Sequence, residues 1–141
     1  MADPELDQLM NAMMSFAQQA LSKRGAFYAF GATIKTGGEI AMAAASDGNE
    51  APPPQQVLQI LTDSLRAQAT AAEIRAAGVC VDVRVCRPGE SAKTDAIHCG
   101  LEHAVGESVD VYLPYRKRWF GRVDYGEIFA SRRAPQIFVQ S

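Results

Sequence analysis

Hydrophobic positions along the chain change period several times, and each change marks an element. Leu6, Leu9, Met10, Met13, Phe16, Ala17, Ala20 and Leu21 recur at three- and four-residue spacing, the stripe of an amphipathic helix. Asp3 is placed to cap that helix, Pro4 suits its first position, and Glu5 and Asp7 favour the positive end of its dipole. Lys23 and Arg24 suit the last turn, and Gly25 a left-handed end. Residues 26–35 and 39–45 then read as a hairpin about Gly37-Gly38, a pair that permits a two-residue turn. That turn sets Ile34 opposite Ala41, Ala32 opposite Ala43 and Phe30 opposite Ala45. The second face then carries Phe27, Ala29, Gly31, Thr33, Ile40, Met42 and Ala44, so both faces are largely apolar.

Residues 46–54 form a turn-rich connection ending in three prolines. A second helix follows, with Val57, Ile60, Leu61, Leu65 and Ile74 in buried positions and Gly78 as its stop. Beyond it the period falls to two. Val79, Val81, Val83 and Val85 alternate with Cys80, Asp82, Arg84 and Cys86. Ile97, Cys99, Leu101 and His103 alternate with His98, Gly100 and Glu102; Val109, Val111 and Leu113 alternate with Ser108, Asp110 and Tyr112. Matching the apolar faces sets Leu101 opposite Val111 and Glu102 opposite Asp110, around a loop of Val105, Gly106 and Glu107. Residues 122–130 read as a further strand, and 137–139 as a short edge strand.

The order α-β-β-α-β-β-β predicts an α+β fold in one domain over residues 1–141. It consists of a single antiparallel sheet of about five strands, with room for a sixth at the C-terminal edge, and two helices on one face. This order resembles the profilin-like architecture of the roadblock and longin modules, although the final helix of those modules is missing. The resemblance covers element order alone and implies a dimerising or scaffolding unit without catalytic chemistry.

Composition narrows the class without naming an activity. Apolar residues at 48% and charged residues at 21% are ordinary for a folded domain. No apolar run approaches the roughly 18 residues of a membrane span, so no membrane partner is expected. Three cysteines without zinc spacing, behind an acidic N-terminus, suggest a reducing, cytoplasmic setting. The net charge of −2 hides a contrast. Residues 113–133 hold Arg116, Lys117, Arg118, Arg122, Arg132 and Arg133 against Asp124 and Glu127, so this segment is +4 and the remainder −6. That acidic remainder makes a nucleic-acid partner unlikely.

Two places carry candidate chemistry. Tyr115, Arg116, Lys117, Arg118, Trp119, Phe120 and Arg122 join two strands and combine consecutive cations with the only tryptophan. Exposed at a hairpin tip, they would form a contact hot spot or an anion site; folded back, the aromatics would belong to the core. The alternative is a polar sheet face carrying His98, Glu102 and Asp110, joined by Asp82 and Arg84, which would suit a small ligand, a metal or acid–base chemistry. A solvated face whose carboxylates are neutralised by Arg84 or Arg122 is the plainer reading. Cys80 and Cys86 lack any thiol-enzyme motif and read as core residues. The expectation is therefore a non-enzymatic binding protein with no assigned catalytic residue, cofactor or metal. It is expected to be a homodimer, joined through the hairpin face of residues 27–44, that meets a protein partner through the basic-aromatic loop.

Overall fold

A computed structural model describes residues 4–44 and 54–139. Helix α1 (Pro4–Arg24) is followed by β1 (Phe30–Lys35), β2 (Ile40–Ala44) and α2 (Pro54–Thr70). Strands β3 (Ile74–Cys86), β4 (Lys93–His103), β5 (Ser108–Lys117), β6 (Val123–Tyr125) and β7 (Phe129–Arg132) complete the chain. The fold is α+β with one antiparallel sheet of seven strands in the order β2-β1-β3-β4-β5-β6, and β7 also pairs with β5. The proposed Asp3 cap and the connection over residues 46–53 lie outside the described residues.

Helix α1 buries the side of its stripe formed by Leu6, Leu9, Met13, Ala17 and Leu21. These pack on Ala32 and Ile34 of β1, Ala76 and Cys80 of β3, Ile97, Cys99 and Leu101 of β4, and Val111 and Leu113 of β5. The first turn is tied down by Glu5, which accepts from Arg75 Nε at 2.9 Å and faces His103 Nε2 at 2.9 Å. These partners, His103 first and then Arg75, hold the Glu5 carboxyl below the usual range.

The second helix lies on the opposite face, which corrects the expectation that both helices share one. Leu61 and Leu65 of α2 pack with Ala77 and Val79, the residues of β3 that alternate with Ala76 and Cys80. Gly31 lies directly beneath this helix, since a Cβ there would meet Leu65 at 3.5 Å and Leu61 at 3.6 Å, ordinary contact distances. The run Ala76-Ala77-Gly78-Val79-Cys80 is buried on both sides and so requires a cover on both.

Registers differ from the expected ones in instructive ways. The β1–β2 turn is Thr36-Gly37-Gly38, closed by Lys35 N–H to the Glu39 carbonyl at 2.8 Å, with only Gly38 at positive φ (97°). Ile34 therefore pairs with Ile40, one residue from the expected register, and every β2 side chain changes face. Ile40 and Met42 join the α1 face at its outer edge, 37% and 43% exposed. Gly31 and Thr33 are buried on the α2 side, so the β1 part of the hairpin's second face is covered within the chain, while Ala43 beside Gly31 stays exposed. The β4–β5 register is displaced by two: Gly100 faces Asp110 and Glu102 faces Ser108, which preserves the faces.

Helix α2 stops at Thr70, and Ile74 and Gly78 belong to β3. The stop is a Schellman arrangement, with Glu73 N–H to the Gln68 carbonyl (3.0 Å) and Ala72 N–H to the Ala69 carbonyl (3.1 Å). It places Ala72 at φ 57°, where glycine is the favoured residue. Ala72→Gly is expected to stabilise the fold by about 0.5–1 kcal/mol, raising Tm by roughly 2–4 °C. A lowered Tm in calorimetry would mean that the chain does not adopt this stop.

Candidate functional site

The expected basic-aromatic loop divides into a buried part and an exposed part. Tyr115 belongs to the buried part: β5 runs on to Lys117, so Tyr115 follows Val111 and Leu113 on the α1 face. Its hydroxyl donates to Asp82 Oδ1 at 2.8 Å. Burial raises the Asp82 carboxyl above its ordinary range, against the lowering effect of that hydrogen bond. The Tyr115 phenol is also pushed up, by burial and by the adjacent carboxylate.

The exposed part is a tight tip. Arg118 N–H donates to the Arg122 carbonyl at 2.6 Å, closing a single turn over Trp119, Phe120 and Gly121. Phe120 sits at φ 60°, ψ 37° and Gly121 at φ 74°. A left-handed aromatic costs about 1–2 kcal/mol relative to an ordinary backbone conformation. The result is that Trp119 is 84% exposed and Phe120 103% exposed. Neither folds back on the core. Beside them a recess of about 580 Å³ is lined by Arg118, Trp119, Phe120, Arg122 and Asp124.

The cations around this tip are not equivalent. Arg118 Nε lies 2.6 Å from Asp124 and Arg122 Nε 3.8 Å from the same carboxylate. Arg116 and Lys117 are exposed and carry no ion pair among the described residues. The end of α1 adjoins the tip, and a Cβ on Gly121 would lie 3.6 Å from the Ser22 carbonyl. Lys23 and Arg24 therefore stand at the same end of the molecule. Strand pairing brings the β3–β4 turn there too, with Arg87 and Lys93, because Cys86 pairs with Lys93 beyond the Asp95–Tyr115 pair. The opposite end gathers the start of α1 with the β1–β2, α2–β3 and β4–β5 turns, and carries Glu5, Asp7, Glu39, Glu73 and Glu107. The basic end also carries Glu90, Asp95 and Asp124, and the far end Lys35, Arg75 and Arg132, so it is the excess of each sign that separates along the strand axis.

The alternative polar face is split by the same alternation. Asp82 pairs with Ile97 on the α1 side, and Arg84 follows Asp82 on that side; His98, Glu102 and Asp110 lie on the other. What joins the last group is Arg133, whose Nε donates to Glu102 at 2.9 Å and whose Nη1 donates to Asp110 at 3.0 Å. His98 Nε2 lies 2.8 Å from Asp110 Oδ1. The His98 ring stacks on Tyr112 (4.7 Å), which stacks in turn on Phe129 (5.0 Å). Glu102 is fully buried and also accepts the N–H groups of Gln136 (3.0 Å), Ile137 (2.8 Å) and Phe138 (3.1 Å). The expected edge strand at 137–139 is therefore a strap, its amides converging on a carboxylate instead of a neighbouring strand. The strand expected over residues 122–130 is interrupted at Gly126, whose N–H donates to the Pro114 carbonyl at 2.9 Å, and becomes β6 and β7.

Those carboxylates are committed to holding the chain together. Among the described residues no group of three His, Cys, Asp or Glu side chains is placed to hold a metal ion. A cavity of about 580 Å³ at the far end, bordered by Thr70, Ser108, Pro135 and Phe138, includes none of His98, Glu102 and Asp110. Cys80 and Cys99 are directly opposed and buried, with sulfurs 3.7 Å apart, and burial pushes the Cys80 thiol well up. Cys86 is exposed beside the β3–β4 turn. His98 faces away from Cys80 and Cys86, across the sheet, and cannot activate either.

Sequence reasoning missed Arg133 and the strap. One signal was present: Gly100 inside a strand marks a close approach, and a Cβ there would fall 2.3 Å from Arg133 Nη1. No family model, curated protein or solved structure matches this chain.

Proposed function

We propose that the protein is a non-enzymatic binding module that docks on an acidic partner through its basic-aromatic end. One observation carries this reading: adjacent Trp119 and Phe120 are held outside the core by a left-handed turn, on the same hairpin as Arg116 and Lys117, which make no ion pair among the described residues. Exposed aromatics with flanking arginines are the composition of contact hot spots. The polar face supports the same conclusion from the other side, because Arg133 and the strap amides already occupy its carboxylates. A cytoplasmic location fits the three free thiols, two of them adjacent in the core. Among the described residues no helix is long and apolar enough to cross a membrane. Self-association is a second proposal: α2 covers Gly31 and Thr33 of the hairpin face expected to carry it, while Ile40 and Met42 stay exposed on the α1 side.

The test uses charge reversal at Arg116 and Lys117, which make no ion pair among the described residues; Arg118 is less suitable because it holds Asp124. The full chain is expected to be retained on immobilised polyanions, namely poly-L-glutamate and phosphatidylserine. Arg116→Glu with Lys117→Glu is expected to weaken retention at least ten-fold with Tm unchanged within about 2 °C. Equal retention of the variant on both matrices would remove this end of the molecule from the proposal.

A further inference from the structure

Resting on that docking reading, we infer that the acidic partner is an anionic lipid surface, met end-on by the Trp119–Phe120 tip. The shape of the basic end favours this partner. Its cations come from separate elements: Lys23 and Arg24 from the end of α1, Arg87 and Lys93 from the β3–β4 turn, and Arg116 and Lys117 from β5. They surround a projecting tip and do not line a cleft. A folded acidic protein would need a pocket matched to that tip. A fluid headgroup layer admits it without one. Indole and phenyl rings suit the boundary between headgroups and acyl chains, and neighbouring cations suit lipid phosphates. Single-stranded nucleic acid is commonly held in a positively charged groove that follows its backbone, with bases stacked on aromatic platforms. The tip projects, and the recess beside its two rings is bordered by the Asp124 carboxylate as well as by Arg118 and Arg122.

The opposite end of the molecule is consistent with the same arrangement. Glu5, Asp7, Glu39, Glu73 and Glu107 outnumber Lys35, Arg75 and Arg132 at the far ends of the strands, so an anionic surface repels the net charge of that end while it attracts the tip. The protein would stand with its strands steep to the membrane plane. Such contact is peripheral and involves no spanning segment. It differs from the sequence-based expectation of no membrane partner because the basic end is assembled only by folding.

The only tryptophan lies at the proposed contact, so its emission reports binding directly. Vesicles of phosphatidylcholine with about 30% phosphatidylserine, at physiological salt, are expected to shift Trp119 emission to shorter wavelength and to sediment the full chain. Vesicles of phosphatidylcholine alone are expected to do neither. Each cation near an anionic leaflet contributes roughly a five-fold gain in partitioning, so Arg116→Glu with Lys117→Glu should reduce vesicle binding more than 20-fold. Phe120→Ala, which leaves the charge and the fluorophore in place, should reduce it about ten-fold. If Trp119 is unmoved by serine vesicles, the lipid inference is overturned. Poly-L-glutamate and a single-stranded oligonucleotide form the comparison arms. A shift with either, and none with vesicles, overturns the lipid inference while the docking reading survives. Silence towards all three probes overturns both.

Discussion

Replacing Glu102 by alanine is expected to destabilise the fold by about 3–5 kcal/mol. The carboxylate is fully buried and receives Arg133 together with the amides of Gln136, Ile137 and Phe138. Removing it leaves a guanidinium that is only 10% exposed without one of its counter-charges, and the buried Ile137 amide without its acceptor. The loss is expected first in the strap. Amide exchange at residues 136–138 should accelerate to the rate of an open segment while the central strands stay protected. Glu102→Gln should recover part of the loss, because its carbonyl oxygen still accepts amides although its charge is gone. A total loss below about 1 kcal/mol in urea unfolding would show that the strap gains little from this carboxylate.

The second large effect is expected at Gly100. A methyl group there would fall 2.3 Å from Arg133 Nη1 and 2.8 Å from its Cζ. An exposed arginine would swing aside at little cost. Arg133 is fixed between Glu102 and Asp110, so Gly100→Ala must either strain β4 or break both pairs. A cost of about 3 kcal/mol is expected, the upper range for an overpacked site. Because both substitutions act through Arg133, Gly100→Ala combined with Glu102→Ala should cost clearly less than the sum of the two. Additive costs in the double-mutant cycle would separate the glycine from the network.

Much of this fold was legible in the sequence, and what was not has physical causes. The α1 limits follow from Pro4 and Gly25, and strand identities follow from the alternation through Val79, Ile97 and Val109. The β1–β2 register was ambiguous because a glycine pair serves both two- and three-residue turns; only the structure shows that Gly38 alone takes positive φ. The end of α2 was hidden because an alanine, not a glycine, occupies its left-handed position. The helices' placement on opposite faces was readable in principle from the small apolar residues on both sides of β3. At the candidate site, the sequence placed the cations and aromatics on one segment but could not tell Tyr115, in the core, from Trp119 and Phe120, outside it. The gathering of Lys23, Arg24, Arg87 and Lys93 beside them depends on long-range pairing, as does the contact of Arg133 with Glu102, 31 positions away in the chain.

The separation of positive and negative charge along the strand axis also bears on encounter rates. A molecule polarised in this way turns as it diffuses, so that its basic end leads towards any polyanion before contact is made. Fewer collisions are then wasted on unproductive orientations. Raising ionic strength beyond the point where the Debye length, about 8 Å at physiological salt, falls short of that turning distance should slow arrival more than it hastens departure.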